Sequence, residues 1–358
     1  MRRKVRTTLC LSSLGEMMFT FVKRRLALIL IPVLLAAPAA AAPQENRYHR
    51  YAEVRQAVLD AAASYPVIAR AAGIGRSVEG RELSILKLSK DVGVDHRRPE
   101  VLINCNQHAN EHLTAEECLH LIRRYTTGYG TDPVVTEALD TRVVWIIPMV
   151  NPDGAEYDYT SLTPGTWRKN RNGLGVDLNR NWSYQWGCCG GSSPLPIAGD
   201  YRGPSPFSEP EIRAVRDFVN SRVVDGKQRI TASIDIHTFS ELVMWPWGYT
   251  KDDVTPARDA EVFQALGSRM AATNGYTPQQ SSDLYISDGT MIDWLWATHR
   301  IWAMGMEMYP KGDIGGGLAG AFYPPASVID RETTRNDRAV DLVVSYADCV
   351  PRVIGLGC

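Results

Sequence analysis

His108 and Glu111 stand three residues apart in the stretch "NCNQHANEHL" (residues 104–113), directly after the apolar run Val101-Leu102-Ile103. An imidazole and a carboxylate on one turn can bind the same divalent cation. Such pairs are common by chance, and two polar residues of a solvated loop would look the same. A catalytic zinc site needs three protein ligands and an open position for water, so a third donor must come from elsewhere. His237 ends the stretch "SIDIH", where Ser233, Asp235 and His237 share one face of a strand by its period of two. That sets an imidazole at a strand end, where open α/β sheets gather their active sites. A lone strand-end histidine is more often structural, but the three residues together favour a hydrolytic metal centre. His112 and His120 are close by with the wrong spacing, while His49, His96 and His299 have no supporting context.

Between these donors lies "TWRKNRNGLGVDLNRNW", residues 166–182. A solvated face is the ordinary reading of a charge run. Here Arg and Asn alternate beside Trp with few carboxylates to neutralise them. Arginine forks bind carboxylates in bidentate fashion and asparagine adds a directed donor, so the cluster suits an anionic group on a substrate.

These residues need a scaffold that brings distant segments together. Residues 48–65 carry apolar positions at helical spacing, closed by Pro66. Residues 81–88, 101–105, 143–150, 230–239 and 301–308 read as strands. Helices are predicted from Thr114 with Glu117 as capping-box partner, from Ser208 with Glu211, over 257–274 before Gly275, and over 333–348. Asn151-Pro152-Asp153-Gly154 reads as a turn, and residues 155–207 as a long irregular segment of the kind that is usually functional. Strands alternating with helices predict an α/β fold, three-layer α/β/α with a mixed central sheet, around one catalytic domain.

The 358 residues are 44% hydrophobic and 22% charged, with a formal net charge of −1, so no basic surface points to nucleic acid. Lys23-Arg24-Arg25, the apolar run 26–38 and Ala39–Ala42 have the three parts of a secretory signal. The run is shorter than the roughly 20 residues a membrane span needs, so no stable anchor is expected. The predicted organisation is a leader with an upstream extension over 1–42, a catalytic domain over 43–350 and a tail over 351–358. A secreted or periplasmic monomer follows. Six cysteines remain after the leader, and an even count in an exported chain favours disulfides. Cys349 and Cys358 are placed for a local staple, whereas the neighbours Cys188 and Cys189 are expected not to pair with each other.

From residue 48 to about 350 the chain resembles the zinc carboxypeptidases of the carboxypeptidase A type. The resemblance rests on "HANE", on "WRK" at residues 167–169, on "NRNW" at 179–182, on "LYISDGTMIDW" at 284–294 and on "MGMEMYP" at 304–310. It implies His108, Glu111 and His237 as ligands of one Zn²⁺ per chain, the His₂Glu set for which carboxypeptidase A is known. It implies Glu307 as general base, Arg168 as the group that polarises the scissile carbonyl, and Asp177 as the carboxylate that orients His108. Asn179, Arg180 and Tyr285 are implied to hold the terminal carboxylate of a peptide or protein substrate, and Ile292 to form the base of the specificity pocket. Many relatives have Arg where this chain has Asn110, which leaves the outer subsite open. Only a few residues separate Ala42 from the first helix, so activity without proteolytic activation is expected.

Ile292 together with Gly248 and Gly305, which leave room for a bulky group, predicts preference for apolar or aromatic C-terminal residues. Asp293 is expected to serve structure and Asp288 to point away from the pocket floor. The same machinery aimed at bacterial cell-wall peptides, or kept as an inactive peptide-binding module, are the alternative readings.

Overall fold

The computed structural model describes residues 47–358. The leader read over residues 1–42 lies outside the described residues. α1 (Tyr51–Ser64) precedes β1 (Ala69–Arg76), β2 (Glu82–Leu88) and β3 (Glu100–Cys105). α2 (His112–Gly128) and α3 (Pro133–Thr141) lead to β4 (Val143–Ile147) and α4 (Pro152–Tyr159). After a long irregular stretch come α5 (Pro210–Ser221) and a small hairpin of β5 (Val223–Val224) and β6 (Lys227–Gln228). β7 (Ile230–Thr238), β8 (Leu242–Trp245), α6 (Ala257–Asn274) and β9 (Thr277–Gln280) follow. Next are α7 (Ser281–Leu284), α8 (Met291–His299) and β10 (Trp302–Met308), then α9 (Gly317–Phe322), α10 (Ile329–Thr334) and α11 (Asp337–Tyr346).

The main sheet has eight strands in the order β1-β2-β4-β3-β7-β10-β8-β9. β4, β3, β7 and β10 run parallel to their neighbours in this central group, while β1/β2, β2/β4 and β10/β8 are antiparallel. The sheet is mixed, as predicted. Alternation along the central strands builds a core on each face. Val101, Ile103, Ile234, Ile236, Met304 and Met306 pack with Leu121 of α2, Phe263 of α6 and Val340 of α11. Leu102, Trp145, Ile147 and Ala303 face the other way, onto Ile212 and Val215 of α5 and Trp294 and Leu295 of α8.

A fully buried Ile or Leu contributes roughly 1.5–3 kcal/mol, so a one-residue slip that turned these side chains over is strongly disfavoured. That constraint fixes the side of the sheet on which Ser233, Asp235 and His237 emerge. It also fixes their neighbours, because His237 lies opposite Glu307 on β10 and Asp235 opposite Asn104 on β3.

Several local expectations are corrected. α2 starts at His112 with Glu111 at its N-cap and no side-chain cap bond; Thr114 Oγ1 donates instead to the Glu111 carbonyl at 2.7 Å, and Glu117 is buried. α5 starts at Pro210, and Glu211 accepts from Val78 N–H at 3.0 Å rather than closing a capping box. Asn151-Pro152-Asp153-Gly154 opens α4, with Asn151 accepting from Gly154 N–H and Pro152 in the first turn where its missing N–H costs nothing. The segment read as one helix over 333–348 is broken between α10 and α11, where Arg335 reaches the Asn274 carbonyl and Asn336 the Glu332 carbonyl.

Cys349 pairs with Cys358, and Cys105 with Cys118, which ties β3 to α2. Cys188 and Cys189 are bonded to each other, contrary to expectation. Their loop is gathered round Asp288, which accepts from the N–H groups of Gly187, Cys189 and Gly191 and from the Ser192 hydroxyl.

Candidate active site

The turn between β3 and α2 carries His108 and Glu111, and the end of β7 carries His237. His108 Nδ1 lies 2.7 Å from Glu111 Oε1, and His237 Nδ1 lies 2.9 Å from Glu111 Oε2 and 3.0 Å from His108 Nδ1. One donor atom from each residue lies within 4.8 Å of the other two, and all three residues are buried. Each ring turns its other nitrogen to a carboxylate. His108 Nε2 is 3.1 Å from Asp177 Oδ1, and His237 Nε2 is 2.8 Å from Asp235 Oδ2. These outer carboxylates can only accept, so each holds a proton on Nε2 and leaves Nδ1 as the atom whose lone pair would face a metal once its own proton is lost. Two inward lone pairs beside a carboxylate are a donor set that fits one zinc ion.

Electrostatics agree with the geometry. Burial by itself would raise the Glu111 carboxyl, but His108 and His237 outweigh it and hold the group below the ordinary carboxylate range. Burial would lower His237, yet Asp235 and Glu111 raise it well above the usual imidazole value. The pocket's field therefore favours positive charge at its centre.

Glu307 stands beside His237 on the strand ladder, and its Oε2 is buried with no hydrogen-bond partner among the described residues. Burial pushes its carboxyl up to about 8, with Glu111 and Asp235 adding to the rise and His237 and Arg168 opposing it. Arg168 donates from Nε to Asp177 Oδ2 at 2.9 Å and reaches Glu111 Oε1 at 3.4 Å. Arg180 is buried, donating to the carbonyls of Gly191 and Asn179 at 3.1 and 2.8 Å, with one amino group 3.5 Å from the hydroxyl of the half-exposed Tyr285. Asn179 accepts from Met291 N–H at 2.9 Å.

His108, Arg168, Asn179, Arg180, His237, Tyr285, Ile292 and Glu307 line one cleft, with Glu111 and Asp177 buried against its ligand side. A roomier cavity of about 700 Å³ between α3 and α11 has none of these residues.

The family model for zinc carboxypeptidases matches residues 54–339. The chain belongs to the zinc carboxypeptidase family. It is 49% identical over 327 residues to a zinc carboxypeptidase of Saccharothrix mutabilis subsp. capreolus, a match covering 87% of this chain and 72% of the relative. Carboxypeptidase A2 of Mus musculus is 33% identical over 278 residues, covering 75% of this chain; the match spans 64% of that relative's length. The crystal structure of thrombin-activatable fibrinolysis inhibitor superposes with a TM-score of 0.77 at 26% identity, covering 87% of this chain and 76% of that one. As a zinc carboxypeptidase, this chain is a C-terminal exopeptidase with a carboxypeptidase fold.

Met244, Ile292 and Gly305 meet at one end of this carboxypeptidase's cleft. A Cβ built on Gly305 would lie 3.6 Å from Met244 Cε and 3.7 Å from Ile292 Cδ1, in ordinary van der Waals contact, so a small apolar group fits there against an apolar floor. Gly248 does not open the pocket as expected, because a Cβ there would sit 2.6 Å from Ser287 Oγ; its lack of a side chain serves that close approach. Asp288 is buried away from the cleft among its four donors. Asp293 accepts Gly248 N–H at 3.0 Å, and burial pushes its carboxyl up to about 7.

Sequence reasoning missed the support beneath His237. Asp235 accepts from Asn104 Nδ2 at 2.8 Å and from Gln107 Nε2 at 2.7 and 2.8 Å, while Gln107 Oε1 accepts from Trp182 Nε1 at 3.2 Å. The signal was present in "SIDIH", since a period of two sets Asp235 on the face of His237.

Proposed function

We propose that this zinc carboxypeptidase prefers apolar and aromatic C-terminal residues, and the observation that carries this reading is the floor of Met244, Ile292 and Gly305. A lysine or arginine side chain set on that floor would lose its hydration without a counter-charge. The nearby carboxylates are already engaged: Asp288 by four donors, Asp293 by the Gly248 backbone, and Asp235, opposite Gly305 on the ladder, by His237, Asn104 and Gln107.

His108, Glu111 and His237 would hold the zinc ion, one per chain. When bound, zinc supplies Lewis-acid chemistry, polarising a carbonyl and lowering the pKa of water. Arg180, with Asn179 and Tyr285 beside it, receives the terminal carboxylate and so aligns the last peptide bond in the cleft. Glu307 Oε2 takes a proton from the attacking water as the new C–O bond forms, then returns it to the departing amine nitrogen as the C–N bond breaks. Arg168 faces the negative charge that develops on the carbonyl oxygen. Asp177 and Asp235 keep the two imidazoles in register. Export from the cytoplasm is part of the same proposal, supported by the leader-like sequence and by the disulfides.

The test is kcat/KM on blocked dipeptides ending in Phe, Leu, Lys and Arg. Phe and Leu should be released roughly 100-fold more efficiently, the factor that about 3 kcal/mol of uncompensated burial gives. Equal or faster release of Lys and Arg would overturn the preference.

Asp235 gives a separate test that does not depend on turnover. Asp235→Asn should weaken zinc binding about 10- to 100-fold, as loss of such an outer carboxylate generally does. Competition with a chromophoric chelator reads the change. Unaltered affinity would remove Asp235 from the metal's support.

A further inference from the structure

We propose that Asp158, at the end of α4, is a positioning residue that acts through Arg168. Its side chain is fully buried. Its carboxylate accepts from three consecutive backbone N–H groups, those of Gly165 at 2.7 Å, Thr166 at 3.1 Å and Trp167 at 2.7 Å. His112 Nε2 lies 2.7 Å from the same group. These donors come from the two segments that have to meet at the site. The first three immediately precede Arg168, and His112 immediately follows the ligand Glu111.

The junction continues on either side of Asp158. Ala109 N–H donates to the Arg168 carbonyl at 2.9 Å, and Asn110 Nδ2 donates to the Gly165 carbonyl at 3.2 Å. α4 itself presses into the join, where a Cβ on Gly154 would lie 2.4 Å from the Lys169 carbonyl oxygen and 2.7 Å from Ala109 Cβ. The Arg168 guanidinium has few holds of its own: one short bond to Asp177 and a 3.4 Å approach to Glu111. Where it sits therefore depends on where its backbone is fixed, and Asp158 fixes the three residues before it.

Asparagine cannot replace this group, because one of its two ends donates and would confront N–H groups that need an acceptor. The expected shift of the loop is small, yet misplacing a catalytic group by about 1 Å can cost 100-fold in rate. A buried carboxylate with four donors could also serve only the fold, and the experiment has to separate the two roles.

A double-mutant cycle does so. Asp158→Asn should lower kcat about 10- to 100-fold while KM and zinc content stay close to wild type. In an Arg168→Ala background the same substitution should change kcat less than about twofold, because the group it positions is gone. Losses that multiply independently would overturn the proposal and assign Asp158 to structure. The inference rests on the role given to Arg168 above. If Arg168→Ala alone left kcat near wild type, that reading would fail and take this one with it, an outcome distinct from independent losses. Should Asp158→Asn not fold, Asp158→Glu enters the same cycle. Failure of both variants to fold would likewise overturn the proposal in favour of a structural role.

Discussion

Glu307→Gln is expected to lower kcat by about 10²- to 10⁴-fold, the range that a positioned acid–base group contributes. Zinc content should stay at one per chain. The substitution keeps the shape of the side chain and leaves His108, Glu111 and His237 untouched, so the loss isolates proton transfer from metal binding. Two features of the structure make Glu307 the group to test. Its Oε2 is buried without a partner among the described residues, which is costly unless a reacting group supplies one. Its carboxyl is pushed up to about 8 by burial, with the charge of Glu111 next in effect. A cation held by the neighbouring triad would draw that value down toward neutrality, where a base serves best. The measurement is steady-state turnover of a blocked dipeptide ending in Phe, with zinc determined by atomic emission on the same sample. Turnover near wild type would remove Glu307 from the role of base.

His237→Ala is expected to abolish activity by a different route, through loss of zinc. The substitution leaves two ligands, His108 and Glu111, on one turn, together with Asp235 stripped of the ring it supports. Heat stability supplies a readout that does not need turnover. A ligand that binds only the native state stabilises it by RT ln(1 + [L]/Kd), about 2.7 kcal/mol at a hundredfold excess over Kd. Added zinc should therefore raise the Tm of metal-stripped wild-type protein and leave that of His237→Ala unmoved. His108→Ala should behave alike. An equal rise in Tm for wild type and both variants would place the ion elsewhere.

The parts of the site that lie on strands were legible in the sequence, and the parts set by packing between distant segments were not. "SIDIH" alternates with a period of two between an apolar core and a polar face, so both the strand and the direction of His237 follow from burial. The turn of His108 and Glu111 is bounded by the apolar run of β3 on one side and the long α2 on the other, and little else could occupy the interval. α4 was missed because Asn-Pro-Asp-Gly has the composition of a turn; the same Asn and Pro are also what a helix start requires, and only the following residues' packing decides. Gly248 and Gly305 are equally small in the sequence. Ser287 fills the space beside one, whereas a Cβ would fit beside the other in ordinary contact with Met244 and Ile292, and the difference depends on where the 281–292 segment packs. The loop that holds the bonded Cys188 and Cys189 is anchored by Asp288, some hundred residues later, which accepts from N–H groups within it. No pattern local to the loop reports that acceptor.

The ladder that sets His237 opposite Glu307 and Asp235 opposite Asn104 divides the enzyme into parts with unequal freedom to change. The backbone spacing between His237 and Glu307 is set by the sheet, and changing it would mean sliding a strand and turning its core side chains outward. The apolar floor of the cleft, proposed to meet the departing residue, is made by Met244, Ile292 and Gly305, whose side chains, or lack of one, can be exchanged one at a time. A lineage of such enzymes, or a designer, can therefore retune which residue is released many times over while the hydrolytic step is inherited intact.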